Sequence, residues 1–186
     1  MLALARRRTK MGLFRTQRST AAVFCRIALA AVFIPHGMDK LVRFEPFGWE
    51  GPEAWVEEFT SLFTVSYIPE HYKVLLAQIS GWVEIVAALS CVLGLLVRVT
   101  MLPLMINIAT AAALTTVKNG FWFTHRLDGV PAPGFEYHLV LLLISLGLLI
   151  GGAGSYSLDR FIGGDEDDYY YYDDEEEEDD YAPGPV

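Results

Sequence analysis

The sequence predicts an all-α integral membrane protein: a four-helix bundle with a short amphipathic interfacial helix between the first and second spans. Three observations predict it. The 186 residues are 53% hydrophobic with a mean hydropathy of +0.32, too apolar for an ordinary soluble domain. The apolar residues gather into four segments, most of them near the roughly twenty residues that a helix needs to cross a bilayer core. Three of these segments carry a polar or ionisable residue at depth, where such groups are costly and tend to be paired inside a bundle.

The formal net charge of −9 comes from one place, since residues 165–181 hold 12 of the 23 acids. The remaining 11 acids face 14 Lys and Arg, so the rest of the chain is mildly basic. Nothing in that balance points to nucleic acid. The chain divides into a basic segment (1–19), a four-span membrane domain (20–162) and an acidic tail (163–186).

Residues 1–20 carry Arg6, Arg7, Arg8, Lys10, Arg15 and Arg18 without an acid. A secretory signal peptide starts in the same way, but Arg26 interrupts the apolar run and three further spans follow, which favours a retained first helix. The basic segment is expected to stay cytoplasmic, with Arg26 snorkelling toward that interface.

The first span runs from Thr20 to Leu41 or Arg43 and includes Pro35, which frees the carbonyl of Ala31 from its helical bond. Just beyond it, His36 and Lys40 stand four residues apart and share a helix face. Pro52-Glu53-Ala54-Trp55 then reads as a helix start, with proline and an acid in its first turn. Trp55, Phe59, Leu62 and Phe63 recur at helical spacing, as in a helix lying on the outer membrane surface.

The second span, Val74 to Leu96, carries Glu84 near its middle beside Ala77, Ser80, Gly81, Ala87, Ala88 and Cys91. Small residues let another helix approach closely, so Glu84 is expected to point into the bundle and pair with His36 or Lys40. A turn at Val97-Arg98 leads to the third span, Val99 to Val117, with Asn107 at mid-depth and Pro103 four residues before it. After a turn-rich aromatic loop, the fourth span runs from Phe135 to Ile150. Glu136 and His138 open it, and Gly147 and Gly151 make a small-residue pair near its end.

Four spans that start inside must end inside. Eight Lys and Arg then lie on the cytoplasmic side and five outside, in the sense of the positive-inside rule. Both termini are expected to be cytoplasmic. The tail cannot bury anything and is expected to be disordered, with Tyr169, Tyr170, Tyr171 and Tyr172 available to stack on a basic partner.

Taken together, Arg26, His36-Gly37-x-x-Lys40, Glu84, Gly94-Leu95 before Arg98, Glu136 and the closing Gly152-x-Gly154-x-x-Ser157-Leu158-Asp159 resemble the DoxX family of bacterial and archaeal membrane proteins. The resemblance covers residues 20–162 and leaves out the basic N-terminal segment and the Tyr-rich tail. It implies a four-helix bundle in a prokaryotic cytoplasmic membrane. It also implies a link to redox chemistry, since relatives include a subunit of a thiosulfate–quinone oxidoreductase and members tied to thiol and oxidative-stress systems.

Two functions follow as expectations. In the first, the chain is the membrane subunit of a redox complex, with a quinone or small-molecule pocket formed by His36, Lys40, Glu84, Asn107, Glu136 and His138. A carboxylate with a histidine in reach can accept the protons that quinol oxidation releases. In the second, the polar network only holds the spans in register. The chain is then a non-catalytic accessory subunit that binds partner proteins, or a second copy of itself, through faces such as Gly81, Gly147 and Gly151 and through the tail. The sequence assigns no catalytic residue, no metal site and no cofactor, with no CxxC and no flavin or nucleotide fingerprint. Cys25 and Cys91 read as small buried hydrophobes.

Overall fold

Ser19 closes the start of the first helix by accepting a hydrogen bond from the Ala22 amide at 3.4 Å, the role for which serine suits a helix N-terminus. The computed structural model describes residues 19–62 and 68–163. Its elements are α1 (Thr20–Leu41), α2 (Pro52–Leu62), α3 (Glu70–Leu93), α4 (Val97–Ala111), a small hairpin of β1 (Arg126–Leu127) and β2 (Val130–Pro131), α5 (Glu136–Gly151) and α6 (Leu158–Gly163). A single π turn at Ala112–Thr116 and a 3-10 turn at Val117–Asn119 prolong α4. Residues 1–18, Phe63 and the tail with Tyr169, Tyr170, Tyr171 and Tyr172 lie outside the described residues.

Among the described residues, three helices are long and apolar enough to cross a membrane: Thr20–Leu41, Glu70–Leu93 and Val97–Asn119. α5 is equally apolar but has only 16 residues, about 24 Å of rise against a hydrocarbon core of about 30 Å. Pro35 and Pro103 sit within α1 and α4, which run on past them.

α1 packs on α3, α3 on α4, α4 on α5 and α5 back on α1, closing a four-helix ring, while α2 covers α3 and α1 at one end. The neighbours are antiparallel. Arg26 meets Cys91 while Gly37 meets Ile85, and Arg98 reaches the Ile150 carbonyl while Thr116 reaches His138. The shared core includes Leu29, Phe33, Ala87, Met101, Leu104, Ile108, Leu141 and Leu148. Small residues bring α1 and α3 together. A Cβ on Gly37 would lie 2.8 Å from Ile85, and one on Gly81 would lie 3.0 Å from Leu41. Gly147 and Gly151 differ, because a Cβ at either would meet nothing within 4 Å among the described residues.

The end of the bundle where α1 starts corrects two expectations. Arg26 does not snorkel. It is 3% exposed and donates to the carbonyls of Cys91, Ser155 and Tyr156 at 3.3, 3.1 and 3.0 Å. Three waiting carbonyls substitute for water, so the guanidinium stays inside. The turn before α4 also falls earlier than Val97-Arg98. Gly94 and Leu96 both take left-handed backbone, with φ of 64° and 55°. The buried Asp159 carboxylate accepts from the amides of Leu96 at 2.7 Å and Val97 at 3.1 Å, capping α4 from a distant segment.

Candidate functional site

At the opposite end the chain builds a cavity rather than a latch. Asp39 holds the connection to α2 by accepting from the Glu50 amide at 2.8 Å with its side chain and from the Gly51 amide at 3.0 Å with its carbonyl. Pro52 then starts α2, which crosses the open end of the ring. Trp55 anchors it by donating from its indole nitrogen to the Ala77 carbonyl of α3 at 2.8 Å, and Phe59 is buried beneath it. α2, expected as an amphipathic helix at the outer surface, keeps Glu53, Glu57 and Glu58 exposed and turns Trp55 and Phe59 toward the bundle end that it covers.

Beneath this cover lies a cavity of about 340 Å³ bounded by all four long helices and α2. α1 contributes His36 and Lys40, α3 contributes Ser80 and Glu84, α4 contributes Asn107, and α5 contributes Tyr137 and His138. The Lys40 ammonium lies 2.5 Å from Glu84 Oε1, and Asn107 donates to the same oxygen at 3.0 Å. The Lys40 ammonium also lies 4.3 Å from the centre of the Trp55 ring, so a cation–π contact holds it from above. Of the two partners expected for Glu84, the structure supplies Lys40. His36 sits one turn earlier on α1, lining the same cavity but exposed.

Glu84 is 5% exposed, and its second oxygen, Oε2, has no hydrogen-bond partner among the described residues. A buried acceptor left unmade costs about 1–3 kcal/mol, more when charged. Lys40 and Asn107 crowd one oxygen and leave the other for a donor.

His138 stands on the far wall, with Nδ1 3.4 Å from the Thr116 hydroxyl. Thr116 ends the π turn of residues 112–116, a local widening often found beside functional sites. Glu136 does not join the cavity. Its carboxylate accepts from the Phe123 amide at 3.1 Å, fastening the 119–135 loop to the start of α5.

Trp55, Glu58 and Tyr137 also line the cavity and were not anticipated there. For Trp55 a signal existed, since an aromatic one turn before buried Phe59 defines the inward face of α2. Tyr137 lies between Glu136 and His138 in the first turn of α5, and nothing in the spacing set it apart from them. Among the described residues no three His, Cys, Asp or Glu side chains converge as a metal site. Cys25 and Cys91 are free thiols, Cys91 buried and Cys25 partly so.

A family model described as DoxX matches residues 21–119, spanning α1 to the end of α4 and including Lys40, Glu84 and Asn107. No curated protein matches the chain. No solved structure matches it either.

Proposed function

Because the chain belongs to the DoxX family of multi-pass membrane proteins, we propose that it is the membrane-embedded subunit of a redox complex whose cavity receives the hydroxylated ring of a quinol. The observation that carries this reading is Glu84 itself: the residue lines a cavity of about 340 Å³, and its buried Oε2 has no hydrogen-bond partner among the described residues. A ring hydroxyl is a donor of the right kind for a carboxylate whose other oxygen is held by Lys40 and Asn107.

In this proposal Lys40 and Asn107 fix the Glu84 carboxylate through Oε1, and Trp55 holds Lys40. Oxidation of the quinol releases two protons and two electrons. Glu84 takes one proton at Oε2, and His138, on the opposite wall, is placed to take the other. The electrons pass to a carrier on a partner chain, since the sequence carries no redox-centre motif. We place the protein in a prokaryotic cytoplasmic membrane with both termini cytoplasmic, so that the cavity opens toward the outer face. Glu136 has no role in this pocket.

A second reading, the accessory subunit, draws on Gly147, where a Cβ would meet nothing within 4 Å among the described residues, a position that suits the approach of a partner helix.

The test is equilibrium binding of a short-tailed quinol to the purified protein in mild detergent. Wild type is expected to bind saturably, and Glu84→Gln to lose at least about tenfold in affinity while keeping its helical circular dichroism. Absence of saturable binding to wild type would favour the accessory reading.

A further inference from the structure

A second, smaller cavity of about 230 Å³ lies between α3 and α4, walled by Leu76, Ile79, Val83, Pro103 and Ile106. Its character differs from that of the Glu84 cavity. No charged group lines it, and Leu76, Ile79 and Ile106 are 41%, 46% and 69% exposed, facing outward from two membrane-spanning helices where hydrocarbon is the solvent. Yet the two cavities are neighbours. Phe59, Ser80, Asn107 and Thr110 line both, so a single layer of side chains separates a polar, donor-seeking pocket from an apolar groove that opens to the bilayer. Two of the four, Ser80 and Thr110, are small, and the third helix-borne member, Asn107, already reaches through the layer to Glu84.

We propose that this groove is the tail subsite and lateral doorway of the pocket: the ligand is an amphiphile that slides in from the membrane between α3 and α4, its hydroxylated head on Glu84 and its alkyl or isoprenoid tail along Ile79, Val83 and Ile106. The proposal rests on the head-group reading above and adds the route and the second half of the ligand. Access from above is narrowed by α2, which Trp55 pins to Ala77 and whose preceding Glu50 is held to α1 by Asp39, whereas on the α3–α4 side the two cavities are divided by the side chains of Phe59, Ser80, Asn107 and Thr110. An apolar groove has no strong hydrophobic advantage over lipid, so the tail contributes orientation and supply from the bilayer rather than large affinity of its own. Blocking the doorway therefore penalises a tailed ligand selectively.

The experiment compares a tail-less quinol with a decyl-tailed one, on wild type and on Ile106→Trp, in lipid nanodiscs. Ile106 lines the groove and not the Glu84 cavity and is 69% exposed, so the larger side chain narrows the groove without entering the head pocket. Folding is checked by circular dichroism and thermal denaturation, and a decyl tail ending in a diazirine maps the groove independently on wild type. The expected result is that Ile106→Trp weakens the tailed quinol by about tenfold or more and leaves the tail-less one within about twofold, with the photolabel on α3 and α4 peptides. Equal affinity of the tailed quinol for both proteins, or photolabel confined to α1 and α5, overturns the doorway while leaving the head pocket standing. If wild type binds neither quinol, both readings fall.

Discussion

The two ends of the bundle each bury a cation from α1, and they use it in opposite ways. Arg26 is surrounded by carbonyls that belong to chain turns, and backbone closes over it so tightly that a Cβ on Gly94 would lie 2.1 Å from its Nη1. Lys40 meets a carboxylate, an aromatic face and open space. The cost of burying charge is offset at one end by fixed backbone dipoles and at the other by a titratable partner with an oxygen to spare. Each end leaves one buried atom without a hydrogen-bond partner among the described residues, Nε of Arg26 and Oε2 of Glu84; what differs is that the Lys40–Glu84 pair borders a cavity, whereas backbone packs against Arg26. The comparison separates a latch from a site by what surrounds each group, independently of how deeply each is buried.

The contrast predicts that the latch end governs stability. Gly94→Ala is expected to have the largest effect, about 3–4 kcal/mol, by combining left-handed backbone with a collision at Arg26. Thermal denaturation in detergent reads it, and an unchanged midpoint would break the latch description. Asp159→Ala comes next, at about 2–3 kcal/mol, because it removes the carboxylate that holds two amides at the start of α4. Exchange protection of the Leu96 and Val97 amides should fall with it.

At the site end, the double substitution Lys40→Met with Glu84→Gln removes both charges together and should cost less than about 1 kcal/mol, since a buried ion pair contributes little net stability. Quinol binding should nevertheless be lost, so stability and function part company there. If the double variant fails to fold, the network is helix glue and the comparison fails. Gly147→Leu sets the lower limit, under about 0.5 kcal/mol for the isolated chain. A change in oligomeric mass for that variant would show that the uncovered α5 face has an occupant.

Much of this architecture was legible in the sequence, for identifiable reasons. Apolar runs, Pro52 and the small stripe around Glu84 report local geometry, and local geometry dictates helices and their inward faces. The tie from Glu84 to Lys40, one of the two partners expected with His36, follows from the few polar groups available at that depth, whereas the share that Asn107 takes of the same oxygen was not foreseen. The Arg26 latch did not follow, because it assembles carbonyls of residues 91, 155 and 156 that carry no side-chain signature. Glu136 was misjudged for a related reason. It opens a helix beside the cavity, but its carboxylate accepts from the amide of Phe123, which belongs to a loop whose path periodicity does not reveal. The π turn at Ala112–Thr116 is likewise a response to packing, with no motif of its own.

The account turns on one atom, Oε2 of Glu84. Infrared difference spectroscopy of the protein in nanodiscs, with and without bound quinol, observes that carboxylate directly, and Glu84→Gln assigns the band. A shift of the Glu84 carboxylate stretch on binding, absent from the variant, is the predicted result. A bound quinol that leaves the band unmoved would show that its hydroxyl is held elsewhere and would contradict the central claim.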